Sequence, residues 1–189
     1  MIRETEKQCI LRVINPKLFF PEIILDKGEC LGIYTENVNF LIKNFFKIIT
    51  EPSKYAERVT VNDIVAGSSS WIGRSFTHVA VPEMWNKKLH KILEDKPKRK
   101  HLTFIGINSC DVEKEYLSEI SDLVYKFKNE GAVLIVSDSC DILEACSDKI
   151  TDENGNEIYS EKGIFLYDIK NNNFIESLEN IKTNYCDVR

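Results

Sequence analysis

Residues 131–151 read GAVLIVSDSCDILEACSDKIT, and this stretch decides the fold. Residues 132–136 are a continuous apolar run, which is typical of a strand buried on both faces of a parallel sheet. Ile142, Leu143 and Cys146 follow at helical spacing and indicate a short helix. An apolar strand followed at once by a helix predicts a βα unit.

A second unit of the same kind precedes this stretch. Residues 102–107 read LTFIGI and predict another buried strand. Asp111 is expected to cap the next helix, and Gly131 lies just past the end of that helix. The inward stripe of the helix consists of Tyr116, Ile120, Leu123, Val124 and Phe127. Strand, helix, strand and helix in this order predict right-handed crossovers and a parallel sheet.

The residues after Asp148 change in character. Asn154 and Gly155, between residues 149–151 and 157–159, are a strong signal for a hairpin with a two-residue turn. Residues 163–169 predict one more strand, and the tail from Asn171 is polar.

The first third of the chain also alternates strands with a helix. Residues 9–14 and 30–34 predict strands, with turn signals at Pro16, Pro21 and residues 27–29. The pattern from Asn37 is helical and ends before Pro52. Its apolar face comprises Val38, Leu41, Ile42, Phe45, Phe46 and Ile49.

The middle of the chain is less regular. Residues 59–65 predict a weak strand, residues 67–70 a polar loop and residues 78–81 a short strand. A helical piece over residues 84–94 and a basic linker over residues 96–101 complete it.

Composition sets the class of protein. A chain of 189 residues, 43% hydrophobic and 29% charged, predicts one globular domain spanning residues 1–189. The net charge of −5 excludes a global attraction to nucleic acid or to an anionic membrane. Without an apolar run of about 20 residues or a secretory leader, we expect a cytoplasmic protein with no direct membrane insertion. The six cysteines and three histidines show no metal-ligand spacing, so we expect reduced thiols and no metal site.

Taken in order, these elements resemble the nucleotide-binding domain of ABC transporter ATPases. Residues 27–33, KGECLGI, are similar to the strand that enters the Walker A loop. Residues 79–83 resemble the Q-loop strand, and residues 109–111 with the following helix resemble the D-loop. Residues 131–137 resemble the strand into the H-loop, and residues 143–150 match the conserved run before a hairpin. The resemblance implies a P-loop NTPase-like α/β core with a mostly parallel sheet flanked by helices, plus antiparallel strands.

The residues that bind and hydrolyse ATP in that family are missing here. The Walker A position reads TENVNFLI over residues 35–42, without the glycines that wrap phosphates and without the phosphate-binding lysine. Glu36 places a carboxylate there instead. The Walker B position, residues 104–108, lacks both the magnesium aspartate and the catalytic glutamate.

The other nucleotide-contacting positions are altered too. Glu83 replaces the Q-loop glutamine, Asp138 replaces the H-loop histidine, and Asp111 alone keeps the family's residue. Lys43 lies further along the helix, and we expect it on or near the apolar stripe. Lys43, Glu83, Asp111 and Asp138 are therefore the vestigial nucleotide-binding positions that the resemblance implies, and no catalytic residue is expected.

About twenty residues separate Glu83 from Phe104, where the family has a helical subdomain with the LSGGQ signature. The subdomain is therefore expected to be reduced or absent. We expect a catalytically inactive, binding or regulatory protein that uses no cofactor. The implied partner is an ABC permease, a complete ABC ATPase or a second copy of the chain, and a partner would bring the protein to the inner face of the membrane.

Two alternatives stay open. An ATP-binding ABC subunit would retain ATP and magnesium through a rearranged loop, with Lys43 or Arg74 supplying charge. An unrelated α/β enzyme would use Cys140 or Asp138. Ser137 and its acidic neighbours can be read as a nucleophile with acid partners, although a cap at Ser139 or Asp141 for the next helix explains these residue types more simply.

Overall fold

The computed structural model describes residues 8–67, 77–80, 101–112, 117–160, 166–168 and 173–175. In chain order the strands and helices begin with β1 (Cys9–Pro16), β2 (Ile23–Asp26), β3 (Cys30–Tyr34), α1 (Val38–Thr50), α2 (Pro52–Tyr55), β4 (Ala56–Val61), β5 (Ile64–Val65) and β6 (Thr77–Ala80). They continue with β7 (Leu102–Ile107), α3 (Leu117–Glu130), β8 (Ala132–Ser137), α4 (Cys140–Cys146), β9 (Lys149–Asp152), β10 (Glu157–Ser160), β11 (Leu166–Asp168) and β12 (Asn173–Ile175).

The central sheet has the order β10-β9-β3-β8-β7-β6. Its neighbours are parallel from β9 to β6, and β10 runs antiparallel at one edge. A second sheet, β2-β1-β4-β5, is wholly antiparallel, and β11 pairs with β12. This architecture confirms the predicted mixed α/β fold with a mostly parallel sheet and additional antiparallel strands.

The parallel sheet is buried on both faces. Alternate residues of β8 point to opposite sides, with Leu134 and Val136 in one core cluster and Val133 and Ile135 in the other. The first cluster joins α1 and the antiparallel sheet to one face, and the second joins α3 and α4 to the opposite face. The two-sided burial is the physical reason why β7 and β8 read as continuous apolar runs.

Helix α1 lies against β7 at close range. The rings of Phe45 and Phe104 stack with centroids 4.3 Å apart. A Cβ atom placed on Gly106 would lie 2.3 Å from Cδ1 of Ile42, so a larger residue there would force the Ile42 side chain to move. Close packing of α1 on the sheet fixes where the helix begins, next to the carboxyl end of β3.

We call the edge of the central sheet where β3 and β9 begin the amino edge. Asp148 links three elements of the chain at this edge. Its carboxylate accepts a hydrogen bond from the backbone N–H of Cys30 at 2.8 Å, and its own N–H donates to the Cys30 carbonyl at 2.9 Å. Its other oxygen is ion-paired with Lys128 near the end of α3. The run over residues 143–150 therefore has a structural role, because it joins two strands and a helix.

Three sequence predictions are corrected by the structure. The single strand over residues 59–65 is wrong, because Asn62 and Asp63 adopt φ of 52° and 64° and turn the chain between β4 and β5. Asn and Asp tolerate this left-handed conformation. Asp111 does not lie directly before α3, since it ends a 3-10 turn over Ser109–Asp111 and Val112 after it is extended. Strand β2 was not predicted.

The predicted hairpin near Asn154 is confirmed with a longer turn. β9 and β10 pair antiparallel, Thr151 opposes Glu157, and Gly155 has a positive φ of 86°. Of the strand predicted over residues 163–169, the described part is Leu166–Asp168. The helical piece predicted over residues 84–94 lies outside the described residues.

Candidate functional site

The candidate site lies at the carboxyl edge of the central sheet, where β3, β7, β8 and β9 end. Proteins with an open parallel α/β sheet bind their ligands beyond this edge, where the carboxyl ends of the strands lie. Four connections meet there, over residues 35–37, 108–112, 138–139 and 153–156. The sequence resemblance assigns the Walker A, D-loop and H-loop positions to the first three of them.

The connection from β3 to α1 is only three residues long, Thr35, Glu36 and Asn37. Asn37 caps α1, because its side-chain Oδ1 accepts a hydrogen bond from the N–H of Phe40 at 3.1 Å. The N–H of Asn37 donates to Oγ1 of Thr35 at 3.2 Å. Two backbone donors at the start of α1 are thus satisfied within the connection, where a phosphate-binding loop would aim them at a ligand.

Thr35 fixes this connection to the neighbouring strands. It is almost fully buried, and its N–H donates to the carbonyl of Ser137 at the end of β8 at 3.0 Å. Its hydroxyl donates to a carboxylate oxygen of Glu153 at 2.6 Å, in the turn after β9. The connection is therefore held on both sides by protein groups.

Asp138 anchors the turn that follows β7. One carboxylate oxygen accepts a hydrogen bond from the backbone N–H of Ser109 at 2.6 Å, and the other accepts from the Ser109 hydroxyl at 3.2 Å. Both oxygens are occupied by one residue of the 3-10 turn Ser109–Asp111. At the position that resembles the H-loop, the side chain thus holds a neighbouring turn in place.

The serines after β8 cap the next helix. Ser139 is the N-cap of α4, and its hydroxyl accepts from the N–H of Ile142 at 3.5 Å, which confirms Ser139 as the cap. The hydroxyl of Ser137 is fully buried and accepts from the N–H of Ser139 at 3.1 Å. Among the side chains that the structure describes there is one histidine, His101, and it precedes β7 at the opposite edge of the sheet. This arrangement gives no support to a serine nucleophile here.

Asp152 is a buried carboxylate that sequence reasoning missed. It accepts hydrogen bonds from the backbone N–H groups of Asn154 and Asn156 at 2.9 and 2.7 Å, and from Nδ2 of Asn156 at 2.8 Å. An Asp two residues before Asn-Gly is the signal that could have predicted it, since Asp side chains commonly cap such turns. Its role is to build the β9–β10 turn.

The charge at the carboxyl edge is negative. The four connections carry Glu36, Asp111, Asp138 and Glu153, and none of them contains lysine or arginine. In the part of the chain that the structure describes, no group of three or more His, Cys, Asp or Glu side chains is placed to hold a metal ion. A triphosphate with its magnesium would meet these carboxylates, and no lysine or arginine lies within residues 35–37, 108–112, 138–139 or 153–156 to balance them.

Two thiols at the amino edge have raised pKa values. Burial and then the neighbouring Cys146 thiol raise the pKa of Cys30 well above its usual range. Burial raises the pKa of Cys146, at the end of α4, to about 12. Neither thiol has the lowered pKa of a reactive cysteine.

Two of the four vestigial positions, Lys43 and Asp138, have side chains within the described part of the chain. Asp138 lies at the carboxyl edge, whereas Lys43 is exposed on α1, five residues past the first helical residue. The backbone of Asp111 belongs to the 3-10 turn, and its side chain lies outside the described part. Glu83 and Arg74 also lie outside the described residues.

This chain has the fold of ABC transporter ATPases. It is similar to CbiO1 of Clostridium perfringens, part of the ABC transporter complex CbiONQ, with a TM-score of 0.60 and 14% identity over 81% of this chain and 88% of that one. It is also similar to a nucleotide-free ATP-binding cassette from an ABC transporter, with a TM-score of 0.51 and 12% identity over 80% of this chain and 90% of that one.

Comparison of the sequence with protein-family models and with curated proteins finds no match. At these identities the structural likeness establishes the fold alone. No helix among the described residues is both long and apolar enough to cross a membrane.

Proposed function

We propose that this protein is a catalytically inactive member of the ABC ATPase fold that acts by binding, as an accessory or pairing subunit of an ABC transporter system. The observation that carries the proposal is the connection of Thr35, Glu36 and Asn37 between β3 and α1. It is too short to form the glycine-rich phosphate loop, it has no lysine, and the Asn37 and Phe40 donors are already used.

The state of Asp138 supports the same proposal. A residue that acts on the γ-phosphate must be free to face it, yet both oxygens of Asp138 accept hydrogen bonds from Ser109. Each missing transition-state contact costs a factor of about 10²–10³ in rate, so several losses together leave no useful turnover.

The proposal that the protein binds a partner is supported by its fold and by the proteins that share this fold. CbiO1 is part of a transporter complex, and an ABC permease, a complete ABC ATPase or a second copy are the corresponding partners here. The protein would then be cytoplasmic and reach the inner face of the membrane through the partner. No cofactor is required for this role.

Isothermal titration with Mg-ATP tests the inactive state directly. We expect no saturable heat at millimolar nucleotide and no phosphate release above the buffer blank. Micromolar binding with turnover would overturn the proposal and favour an ATP-binding subunit with a rearranged loop. In that case Lys43→Ala should abolish the affinity, and its failure to do so would direct attention to Arg74.

The accessory role needs a separate experiment. The tagged full chain is purified from its native cells after mild crosslinking, and the partners are identified by mass spectrometry. An ABC permease or a complete ABC ATPase recovered at near-equal amounts supports the role, and light scattering of the purified chain detects self-pairing. Recovery of neither, with a monomer in solution, would contradict it.

A further inference from the structure

Helix α1 has a second face that the core does not use. Its inward residues are buried against the sheets, whereas Phe40, Lys43, Phe46 and Lys47 are all exposed. At 3.6 residues per turn these four positions fall within about a third of the helix circumference. They form one continuous strip, here called the α1 outer face.

The aromatic part of this face is larger than the helix alone. Phe40 and Phe46 are 46% and 36% exposed, and Phe19, from the connection between β1 and β2, is 45% exposed. The rings of Phe19 and Phe40 lie 6.1 Å apart between centroids. Phe19 and Phe40 are therefore neighbouring rings that are partly open to water, and Phe46 adds a third exposed ring nearly two turns further along α1. Single exposed apolar residues are common, whereas several on one face are typical of a binding surface.

The charged part of the face is positive in an acidic protein. Helix α1 contains no Asp or Glu, although the chain carries a net charge of −5. Lys43 and Lys47 are one turn apart, where like charges repel and mildly destabilise the helix. Neither of them belongs to any salt bridge formed among the described residues. A partner with negative charge would remove this repulsion.

We propose that the α1 outer face docks an acidic amphipathic helix of a protein partner. The apolar side of that helix would cover Phe19, Phe40 and Phe46, and its carboxylates would pair with Lys43 and Lys47. The inference goes beyond the proposed function, because this surface would serve a partner whether or not nucleotide binds at the carboxyl edge.

The charge pattern argues against other occupants. A second copy related by a two-fold axis would bring Lys43 and Lys47 against their own equivalents, which is a like-charge contact. An anionic membrane or a nucleic acid presents negative charge over an area much wider than the α1 outer face, so the net charge of −5 would oppose it. A single helix would present its carboxylates only to Lys43 and Lys47, within the short range over which salt leaves charges unscreened.

The test uses the full chain and a fluorescein-labelled synthetic helix of about 18 residues, long enough to be helical, with leucines on one side and glutamates along the rim. Fluorescence anisotropy measures its binding. We expect saturable binding that weakens with added salt. The double variant Lys43→Glu with Lys47→Glu should raise the Kd about tenfold or more.

A matched control and a charge swap make the test specific. Lys27→Glu with Lys126→Glu makes the same change in net charge at exposed positions away from α1, and should leave the Kd within about twofold. A peptide with lysine in place of each glutamate should bind the Lys43→Glu, Lys47→Glu variant better than the native chain. Thermal unfolding confirms that each variant is folded.

Two results of the anisotropy experiment would overturn the proposal: no saturable binding of the peptide, or an equal loss of affinity in the control variant. Two further experiments could also overturn it. The chain would sediment with vesicles of phosphatidylserine and phosphatidylcholine in a way that depends on the two lysines, or it would form a dimer that the two lysine changes abolish. None of these results bears on the titration with Mg-ATP, so the two proposals succeed or fail separately.

Discussion

The two edges of the central sheet differ in what their polar groups do. At the amino edge, Asp148 joins Cys30 and Lys128, and its neighbours in sequence follow the pattern of the ABC ATPases. At the carboxyl edge, Thr35 and Asp138 also form hydrogen bonds within the protein, at positions that resemble the Walker A and H-loop positions of that family. Polar groups therefore join strands to a helix at the amino edge, whereas at the carboxyl edge they join the connections between strands and helices to one another.

The largest effect is expected at the amino edge. Asp148→Ala leaves the Cys30 N–H without its acceptor and Lys128 without its counter-ion, at sites that are less than a quarter exposed. We expect a loss of about 2–3 kcal/mol in the free energy of unfolding, measured by urea denaturation. Asp122→Ala, at an exposed position of α3, is the control and should cost under about 0.5 kcal/mol. Equal losses would refute the role of Asp148.

A smaller loss is expected at the carboxyl edge. Asp138→Ala removes the acceptor of two Ser109 hydrogen bonds and should cost about 1–2 kcal/mol. Asp138→Asn keeps an oxygen acceptor and should cost less. Hydrogen exchange at the Ser109 amide should be faster in the alanine variant than in the native chain. Unchanged exchange would mean that Asp138 does not anchor the turn.

The buried thiol of Cys146 at the amino edge should make the free energy of unfolding depend on pH. Because burial raises the pKa of Cys146 from 9.0 to about 12, the folded state holds its proton where the unfolded state loses it. The contribution of Cys146 to stability should therefore be constant below pH 9 and fall as the pH rises from 9 toward 12. Cys146→Ala should make this fall shallower, as measured by urea denaturation at each pH.

Thiol labelling at neutral pH compares the accessibility of the cysteines at the two edges. Maleimide should modify Cys110, which is exposed in the turn after β7, well before Cys146 or Cys30, as followed by peptide mass spectrometry. Faster labelling of Cys146 would show that the amino edge opens more readily than its packing indicates.

The smallest effect is expected for Lys43→Ala. This side chain is exposed and forms no ion pair with any described residue, so the free energy of unfolding should change by less than about 0.5 kcal/mol. Calorimetry with Mg-ATP should be indistinguishable from that of the native chain. A clear heat of binding in the native chain that this variant lacks would instead assign Lys43 to a nucleotide site.

Much of the fold could be predicted because its signals are local. The apolar runs of β7 and β8 and the period of α1 depend only on neighbouring residues, and the structure has all three elements. The elements that were missed have weaker local signals. β2 is only four residues long, and the turn at Asn62 and Asp63 lies within an apolar run that reads as one strand.

The candidate site was less predictable, because its contacts join distant parts of the chain. Asp138 was identified by its place after β8, but its bond to Ser109 spans 29 residues. The bond from Thr35 to Glu153 spans 118 residues, and no sequence pattern announces it. Lys43 was expected on or near the apolar stripe of the helix, and this is wrong, because its side chain is exposed on the outer face of α1.

The amino-acid sequence by itself determined the order of strands and helices, the parallel core and the loss of glycine and lysine at the phosphate position. These properties follow from side-chain periodicity and residue type, which are local. Only the tertiary structure decided that Asp138 and Thr35 are held by protein partners, and that the phenylalanines and lysines of α1 share one open face. The physical reason is that pairing and exposure depend on which distant surfaces the folded chain brings together.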